Sequence, residues 1–294
     1  MTSMDRITPP ISALTPWDDD SEALFACAEH GGALCTVTQI DGSWSRRLGA
    51  QLAVLPDGST RGSLADGCLE KALAAEALAG GDARVLRYGA GSPFLDIRLP
   101  CGSGIEVMVD PAPDRAAVAD ACAALTRREP ADLAIGQAPQ GAFVRRFLPK
   151  LRLAVLGSGP EVTALARLAR AQGIDCLVGG PSDDPGTDHV IALGRAPALP
   201  VDPWTAIAVL FHDHEWERSI LPWALGSPAC YVGAQGGRGA RETREAMLTE
   251  TGWDPADPRL RSPIGVFAHA RTPSVLALSV LAEIVAEHEK LLDR

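Results

Sequence analysis

An apolar stretch at residues 151–156 runs straight into Gly157-Ser158-Gly159-Pro160, and helix-forming sequence follows over 161–172. A strand that turns on glycines into a helix opens a βαβ unit, whose fixed hand leaves few folds open. The pattern continues downstream. Residues 174–178, 190–193, 206–211 and 230–232 read as strands, and 216–225 and 241–248 as helices. A long amphipathic helix over 274–292 is entered through Thr272-Pro273. This alternation predicts a Rossmann-like, doubly wound parallel sheet over 149–294.

In such a turn the first glycine permits the bend and the second lets phosphate approach the backbone. Gly157 and Gly159 are therefore candidate binding residues for a nucleotide. The match is partial. Val162 stands where a small residue is wanted. Val178-Gly179-Gly180 holds no acid for a ribose, and the nearest acids are Asp183 and Asp184. Ordinary NAD use and hydride transfer are disfavoured. Phosphate or nucleotide binding is preferred over a turn that holds nothing.

In open α/β sheets the carboxyl ends of the strands face the ligand crevice. His212-Asp213-His214-Glu215 follows the strand at 206–211. His212 and His214 are two apart, so an extended backbone points them to one side, which suits an anion or a metal. No third ligand is fixed by spacing. By chemistry alone a polar loop whose histidines cap the next helix is the better reading, and the crevice position is what keeps a functional role alive. Tyr231-Val232-Gly233-Ala234-Gln235-Gly236-Gly237-Arg238 breaks from strand into a glycine-rich turn. Gly233 admits close approach of a ligand, and Arg238 can hold a phosphate or a ring oxygen. Arg271, in Ala270-Arg271-Thr272-Pro273, adds a second arginine.

The first half of the chain is organised differently. Residues 1–20, rich in Pro, Ser, Thr and Asp, read as an N-terminal arm. Helices are expected over 21–30, 69–78 and 114–128, and strands over 32–40, 50–55, 83–88, 96–99 and 105–109. Strict alternation is missing, so 21–128 reads as a mixed α+β domain. Residues 129–148, with Pro, Gly and Gln, read as a linker.

Two cysteines of this half sit in glycine turns. Ser63-Leu64-Ala65-Asp66-Gly67-Cys68-Leu69-Glu70 opens a helix, with Glu70 in its first turn. Leu99-Pro100-Cys101-Gly102-Ser103-Gly104 opens a strand. A thiol at a helix N-terminus faces unpaired N–H groups and the positive end of the dipole, which favours thiolate or an anionic ligand. Buried structural cysteines are the alternative, and would be preferred for a single such turn. One of Arg46 and Arg47, in the loop before Gly49, faces ligand or the other domain, with simple solvation as the alternative.

The bulk numbers exclude several classes. A net charge of −10 with dispersed arginines makes a poor nucleic-acid binder. Residues 1–20 lack the basic and apolar regions of a signal peptide, and no uncharged apolar run reaches the roughly 20 residues that span a bilayer. Seven scattered cysteines, an odd count without CxxC spacing, fit free thiols in a reducing cytoplasm.

Taken in order, these segments resemble the XdhC/CoxI family of molybdoenzyme accessory proteins over nearly the whole chain after the arm. The residues that carry the resemblance are Gly42-Ser43-Trp44-Ser45-Arg46, Asp66-Gly67-Cys68-Leu69-Glu70 and Cys101-Gly102-Ser103-Gly104-Ile105-Glu106-Val107 in the first half. In the second half they are Arg145-Arg146-Phe147-Leu148-Pro149, Phe211-His212-Asp213-His214, Tyr231-Val232-Gly233-Ala234, Ser262-Pro263-Ile264-Gly265 and Ala270-Arg271-Thr272-Pro273. The chain departs from the family pattern at Asp66 and Ser103, which replace glycines, and at Gly157-Ser158-Gly159-Pro160, which lacks the family's histidine. It departs again at Gln235-Gly236-Gly237, where the family has Leu-Gly-Ser.

The resemblance implies a cytoplasmic chaperone with no turnover reaction of its own. It would bind the molybdenum cofactor (molybdopterin or its dinucleotide form), protect it, help sulfurate it and insert it into a xanthine dehydrogenase-like molybdoenzyme. A cysteine desulfurase, a molybdopterin nucleotidyltransferase and a second copy of the chain are implied partners, with the helix at 274–292 one candidate dimer surface. Cys68 and Cys101 are then placed at the molybdenum end or as sulfur carriers. Gly67, Glu70, Gly102, Arg46, Gly157, Gly159, His212, His214, Gly233, Arg238 and Arg271 are placed around the cofactor. Two alternatives stay open: a nucleotide- or NAD(P)-dependent oxidoreductase on the Rossmann-like domain, and a redox enzyme using His212, His214, Cys68 and Cys101.

Overall fold

The structure, a computed structural model, describes residues 19–65, 67–92, 102–136, 143–182, 184, 186–267 and 269–292. Cys101, the strand expected at 96–99 and nearly all of the N-terminal arm lie outside the described residues. The chain divides between Pro149 and Lys150 into two compact units.

The first unit contains, in order, α1 (Asp19–His30), β1 (Ala33–Asp41), β2 (Gln51–Val54), β3 (Thr60–Gly62), α2 (Cys68–Leu78), β4 (Arg84–Gly89), β5 (Gly104–Asp110) and α3 (Arg115–Thr126). Its sheet has the order β3-β2-β1-β5-β4, antiparallel at every pairing. The two-residue period of the strands feeds two cores. Cys35, Val37, Leu52, Val54, Val107 and Val109 meet Leu69 and Leu73 of α2 on one face. Leu34, Ala53, Leu55 and Met108 meet α1 and α3 on the other. With both faces covered, the first five residues of β1 are all buried.

Residues 129–148, expected to be a linker, instead hold β6 (Ala131–Ile135) and β7 (Phe143–Phe147), an antiparallel pair. Leu133, Ile135 and Phe147 are buried in the core that α1 and α3 share. The alternation Leu133-x-Ile135 was a strand signal, masked by the surrounding Pro, Gly and Gln. The short β3 was also missed.

The second unit contains β8 (Arg152–Gly157), α4 (Pro160–Ala171), β9 (Asp175–Gly180), β10 (His189–Val190), β11 (Thr205–Leu210), a 3-10 turn (His214–Trp216), α5 (Glu217–Gly226), β12 (Tyr231–Ala234), α6 (Arg238–Glu250), β13 (Leu260–Arg261) and α7 (Pro273–Leu292). The sheet order is β10-β9-β8-β11-β12-β13, parallel throughout. Counted within the unit this is 3-2-1-4-5-6, the order of a doubly wound dinucleotide-binding fold. The strand expected at 190–193 shrinks to the two residues of β10. Leu153, Val155, Ala208 and Leu210 face α4 and α7. Ala154, Leu156, Ile207 and Val209 face α5 and α6. Among the described residues no helix is long and apolar enough to cross a membrane.

Candidate functional site

The chain leaves β8 for α4 on one face of the sheet and leaves β11 for α5 on the other. A crevice opens where such neighbouring strands part. At that point lies a cavity of about 750 Å³, walled by Glu161, Phe211, His212, His214, Gln235–Arg238 and the loop from Pro263 to Phe267. That volume is within the range of small-molecule sites.

The floor is tied down by a buried network. Arg244 of α6 and Glu217 of α5 are each 2% exposed. Arg244 Nε donates to Glu217 Oε2 at 2.9 Å and Nη2 to Oε1 at 2.6 Å. Nη2 also donates to the Gln235 carbonyl at 2.7 Å, and Nη1 to the Ser262 hydroxyl. His214 Nδ1 lies 2.9 Å from Glu217 Oε1. A carboxylate only accepts, so Nδ1 carries the proton, and in the neutral ring Nε2 is left as an acceptor. Gln235 Nε2 donates to the Leu210 carbonyl at 2.9 Å, joining the end of β12 to the end of β11. Phe211 stacks on Trp216 with centroids 4.4 Å apart, which fixes the start of the histidine segment. On the far rim, Glu283 accepts from the Gly265 N–H at 2.8 Å and from the Tyr231 hydroxyl.

The glycine turn has the opposite chemistry from that expected of it. The Gly159 N–H donates to Asp184 Oδ2 at 3.3 Å. Glu161, in the first turn of α4, lines the cavity with its Oε2 buried and without a hydrogen-bond partner. Two carboxylates thus stand where a phosphate would be received, and a phosphate there meets like charge. Gly157 is a packing glycine: a Cβ would come within 2.8 Å of Val162 Cγ2 and 3.0 Å of the Leu210 carbonyl carbon. Gly233 is corrected in the same way. It is buried in β12, where a Cβ would meet Ile264 Cδ1 at 2.5 Å and the Tyr231 hydroxyl at 2.7 Å. It admits a neighbouring side chain rather than a ligand.

The structure brings His212, His214 and Arg238 to one cavity. His212 is largely exposed, with Nε2 3.7 Å from Glu161 Oε2. Arg238 is the exposed first residue of α6. Arg271 is exposed beside the wall residue Ala270 and is not itself part of the wall. Sequence reasoning missed Glu161, Glu217, Gln235 and Arg244. The i, i+3 spacing of His214 and Glu217 was a usable signal; Arg244, in a helix rich in charge, gave none.

In the first unit, three loops named from the sequence meet at one end of the sheet. The Ser103 hydroxyl donates to the Ser43 carbonyl at 2.6 Å and accepts from the Ser43 N–H at 3.2 Å. Arg46 donates to the Ser63 carbonyl and hydroxyl, both at 3.1 Å. Glu70 is buried, and its carboxylate accepts from the N–H groups of Leu64 (2.9 Å), Ala65 (2.5 Å) and Gly67 (2.8 Å). Glu70 and Arg46 therefore hold the loop that presents Cys68, and their hydrogen-bonding groups are turned to the protein. Gly67 (φ +100°) and Gly102 (φ +70°) adopt the left-handed conformation that favours glycine.

Cys68, the first residue of α2, is exposed. The other described cysteines differ. Burial pushes the thiols of Cys35 and Cys176 up to about 12 and those of Cys122 and Cys230 up to about 11, and it raises Cys27 as well. These thiols stay protonated and unreactive at neutral pH. His212 and His214 belong to one unit and Cys68 to the other. No group of three or more His, Cys, Asp or Glu among the described residues could hold a metal ion.

Comparison with known proteins agrees with this architecture. Residues 153–284 match the XdhC Rossmann domain, and residues 27–89 match the XdhC and CoxI family. The chain is 34% identical over 276 residues to the molybdenum cofactor insertion chaperone PaoD of Escherichia coli, covering 87% of this chain and 83% of that protein. It is 27% identical over 159 residues to a probable xanthine dehydrogenase subunit of Bacillus subtilis, covering 51% and 46% of the two. A crystal structure described as a xanthine dehydrogenase from Bacillus halodurans shares the fold, with a TM-score of 0.73 at 20% identity, covering 93% of this chain and 96% of that one. With both motif regions matched in order and a relative aligned over most of its length, the chain belongs to the XdhC and CoxI family.

Proposed function

We propose that this protein binds the molybdenum cofactor as cargo and passes it to a xanthine dehydrogenase-like molybdoenzyme. The observation that carries the reading is the relationship to an insertion chaperone across 83% of that relative's length. The chemistry of the cavity supports it. Molybdopterin joins a heterocycle rich in N–H donors to a dithiolene and a phosphate. Arg238, at the N-terminus of α6, offers a cation and free backbone N–H groups to the phosphate. His214 offers its Nε2 edge, held in one orientation by Glu217. Sulfur handling is assigned to Cys68, the exposed thiol of α2, supplied by a cysteine desulfurase. The protein works in the cytoplasm, as a homodimer.

The test is cofactor analysis of protein purified without oxygen from cells that make molybdopterin. Near-stoichiometric molybdenum and pterin are expected, measured by mass spectrometry and by fluorescence after oxidation. Cys68→Ser is expected to retain both while losing most of its ability to activate the acceptor enzyme. Protein that holds neither metal nor pterin, and takes up none when cofactor is offered, overturns the reading. Full activation by Cys68→Ser removes the sulfur role alone.

A further inference from the structure

We propose that Gln235 is a ligand-reading residue of the cavity, its Oε1 accepting a hydrogen bond from an uncharged N–H group of the cargo. This rests on the cofactor-binding reading above and deepens it. Gln235 lines the cavity and is only 9% exposed. Its backbone is held on both sides: the N–H donates to the Val209 carbonyl at 3.0 Å, and the carbonyl accepts from Arg244 Nη2 at 2.7 Å. Its side chain is held through the amide nitrogen, 2.9 Å from the Leu210 carbonyl and 3.5 Å from His212 Nδ1. A carbonyl oxygen only accepts, so the nitrogen faces Leu210, and turning the amide over would set two acceptors against each other. That fixes where Oε1 points. Oε1 accepts no hydrogen bond among the described residues, and unlike Oε2 of Glu161 it is not sealed from the open space beside it. An acceptor in so buried a residue, open where that residue meets a cavity and held by the rest of its own amide, is completed by a donor that a ligand brings.

The surroundings set the class of that ligand. An amide oxygen suits a neutral N–H. It repels an oxyanion, which is served instead by Arg238 and the first amides of α6. Ile264 stands beside Gln235, since its N–H donates to the carbonyl of Ala234 at 3.1 Å. With Phe211, Pro263, Phe267 and Leu276 it makes much of the wall apolar. Apolar walls with a few placed polar groups suit a flat organic body that carries its donors on one edge. A pterin, with its ring N–H and amino group, is such a body. An apolar residue of similar size at position 235 would fill the same space and read no donor.

Pterin carries N–H donors. Dimethyllumazine, a pteridine whose ring N–H groups are both methylated, carries none, and both are fluorescent. In equilibrium titrations of the full-length chain, Gln235→Leu is expected to weaken pterin about 3- to 10-fold, the range of a hydrogen bond between uncharged groups, and to leave dimethyllumazine within about a factor of two. Gln235→Glu keeps an acceptor but loses the donor to Leu210, and is expected to retain more of the pterin affinity than Gln235→Leu. Unchanged pterin affinity in a folded Gln235→Leu overturns the assignment. So does an equal loss for both ligands, which marks an amide that only shapes the wall, and so does a wild-type chain that does not bind pterin. Should Gln235→Leu not fold, Gln235→Met, unbranched and of similar volume, replaces it in the same titrations. Molybdenum and pterin carried by the isolated protein, with pterin affinity unchanged in Gln235→Leu, would leave the chaperone reading standing and remove only the role of Gln235.

Discussion

Arg244→Met is expected to destabilise the second unit by about 3–5 kcal/mol, the usual consequence of removing one partner of a buried ion pair. The substitution keeps most of the volume of the side chain. It leaves the Glu217 carboxylate, 2% exposed, without its cation, and strips the Gln235 carbonyl and the Ser262 hydroxyl of a donor. His214 is then left as the side chain hydrogen-bonded to that carboxylate. Denaturant unfolding of the full chain, followed by the tryptophans of the second unit, measures the loss. Replacing both partners, in Glu217→Gln/Arg244→Met, is expected to recover part of it, because no buried charge is left stranded. A single-mutant loss below about 1 kcal/mol would mean that water reaches the pair and that it does not organise the cavity floor.

Glu70→Gln is expected to cost the first unit about 2 kcal/mol, since hydrogen bonds to charged groups contribute roughly 1.5–3 kcal/mol each. The amide can accept from only some of the three N–H groups that the carboxylate now satisfies, and its NH₂ group confronts at least one of them. The pH dependence has a definite sign. Burial pushes the Glu70 acid up, but the N–H groups of Ala65, Glu70 itself, Leu64 and Gly67 together outweigh it and hold it below the ordinary glutamate range. A lowered folded-state value gives stability that is present above the unfolded value of about 4.3 and is lost as pH falls through the folded value. The gap between wild type and Glu70→Gln should therefore be wide at pH 7 and close in acid. An unchanged gap at pH 3 would contradict this account. The same substitution should speed alkylation of Cys68 by loosening the loop that presents it.

The parallel sheet of the second unit was legible because its strands are apolar on both faces, as at Ala206–Leu210, and because glycine marks the exit from β8. The antiparallel sheet was legible from alternation in β1 and β5. What escaped was set by distance along the chain. Asp184 reaches the Gly159 N–H across 25 residues, and Arg244 reaches Glu217 across 27. No local pattern encodes either meeting. Arg244 lies in a helix that reads as a solvated surface, yet it is among the most buried side chains of the protein. Gly233 shows the converse error. A glycine in a strand next to a crevice reads as room for a ligand, and the room is filled by Ile264 and Tyr231. The histidines were found because two of them follow one strand end. Their partners Glu161 and Glu217, which decide what those rings can do, come from different helices.

Every residue of β11 is buried, and the strand is paired along its length on both sides. Its amides should be among the last in the molecule to exchange with deuterium, at rates set by global unfolding. The histidine segment begins one residue beyond it. The turn beside it is made differently: Gly236, at φ +133°, leads into Gly237 and Gly239, which are exposed, and the first amides of a helix have no partners within it. Those amides should exchange early. The cavity wall thus joins the end of a fully buried strand to a neighbouring turn built on glycines. A ligand of this cavity would enter and leave by movement of the glycine turn while the strand end keeps its register.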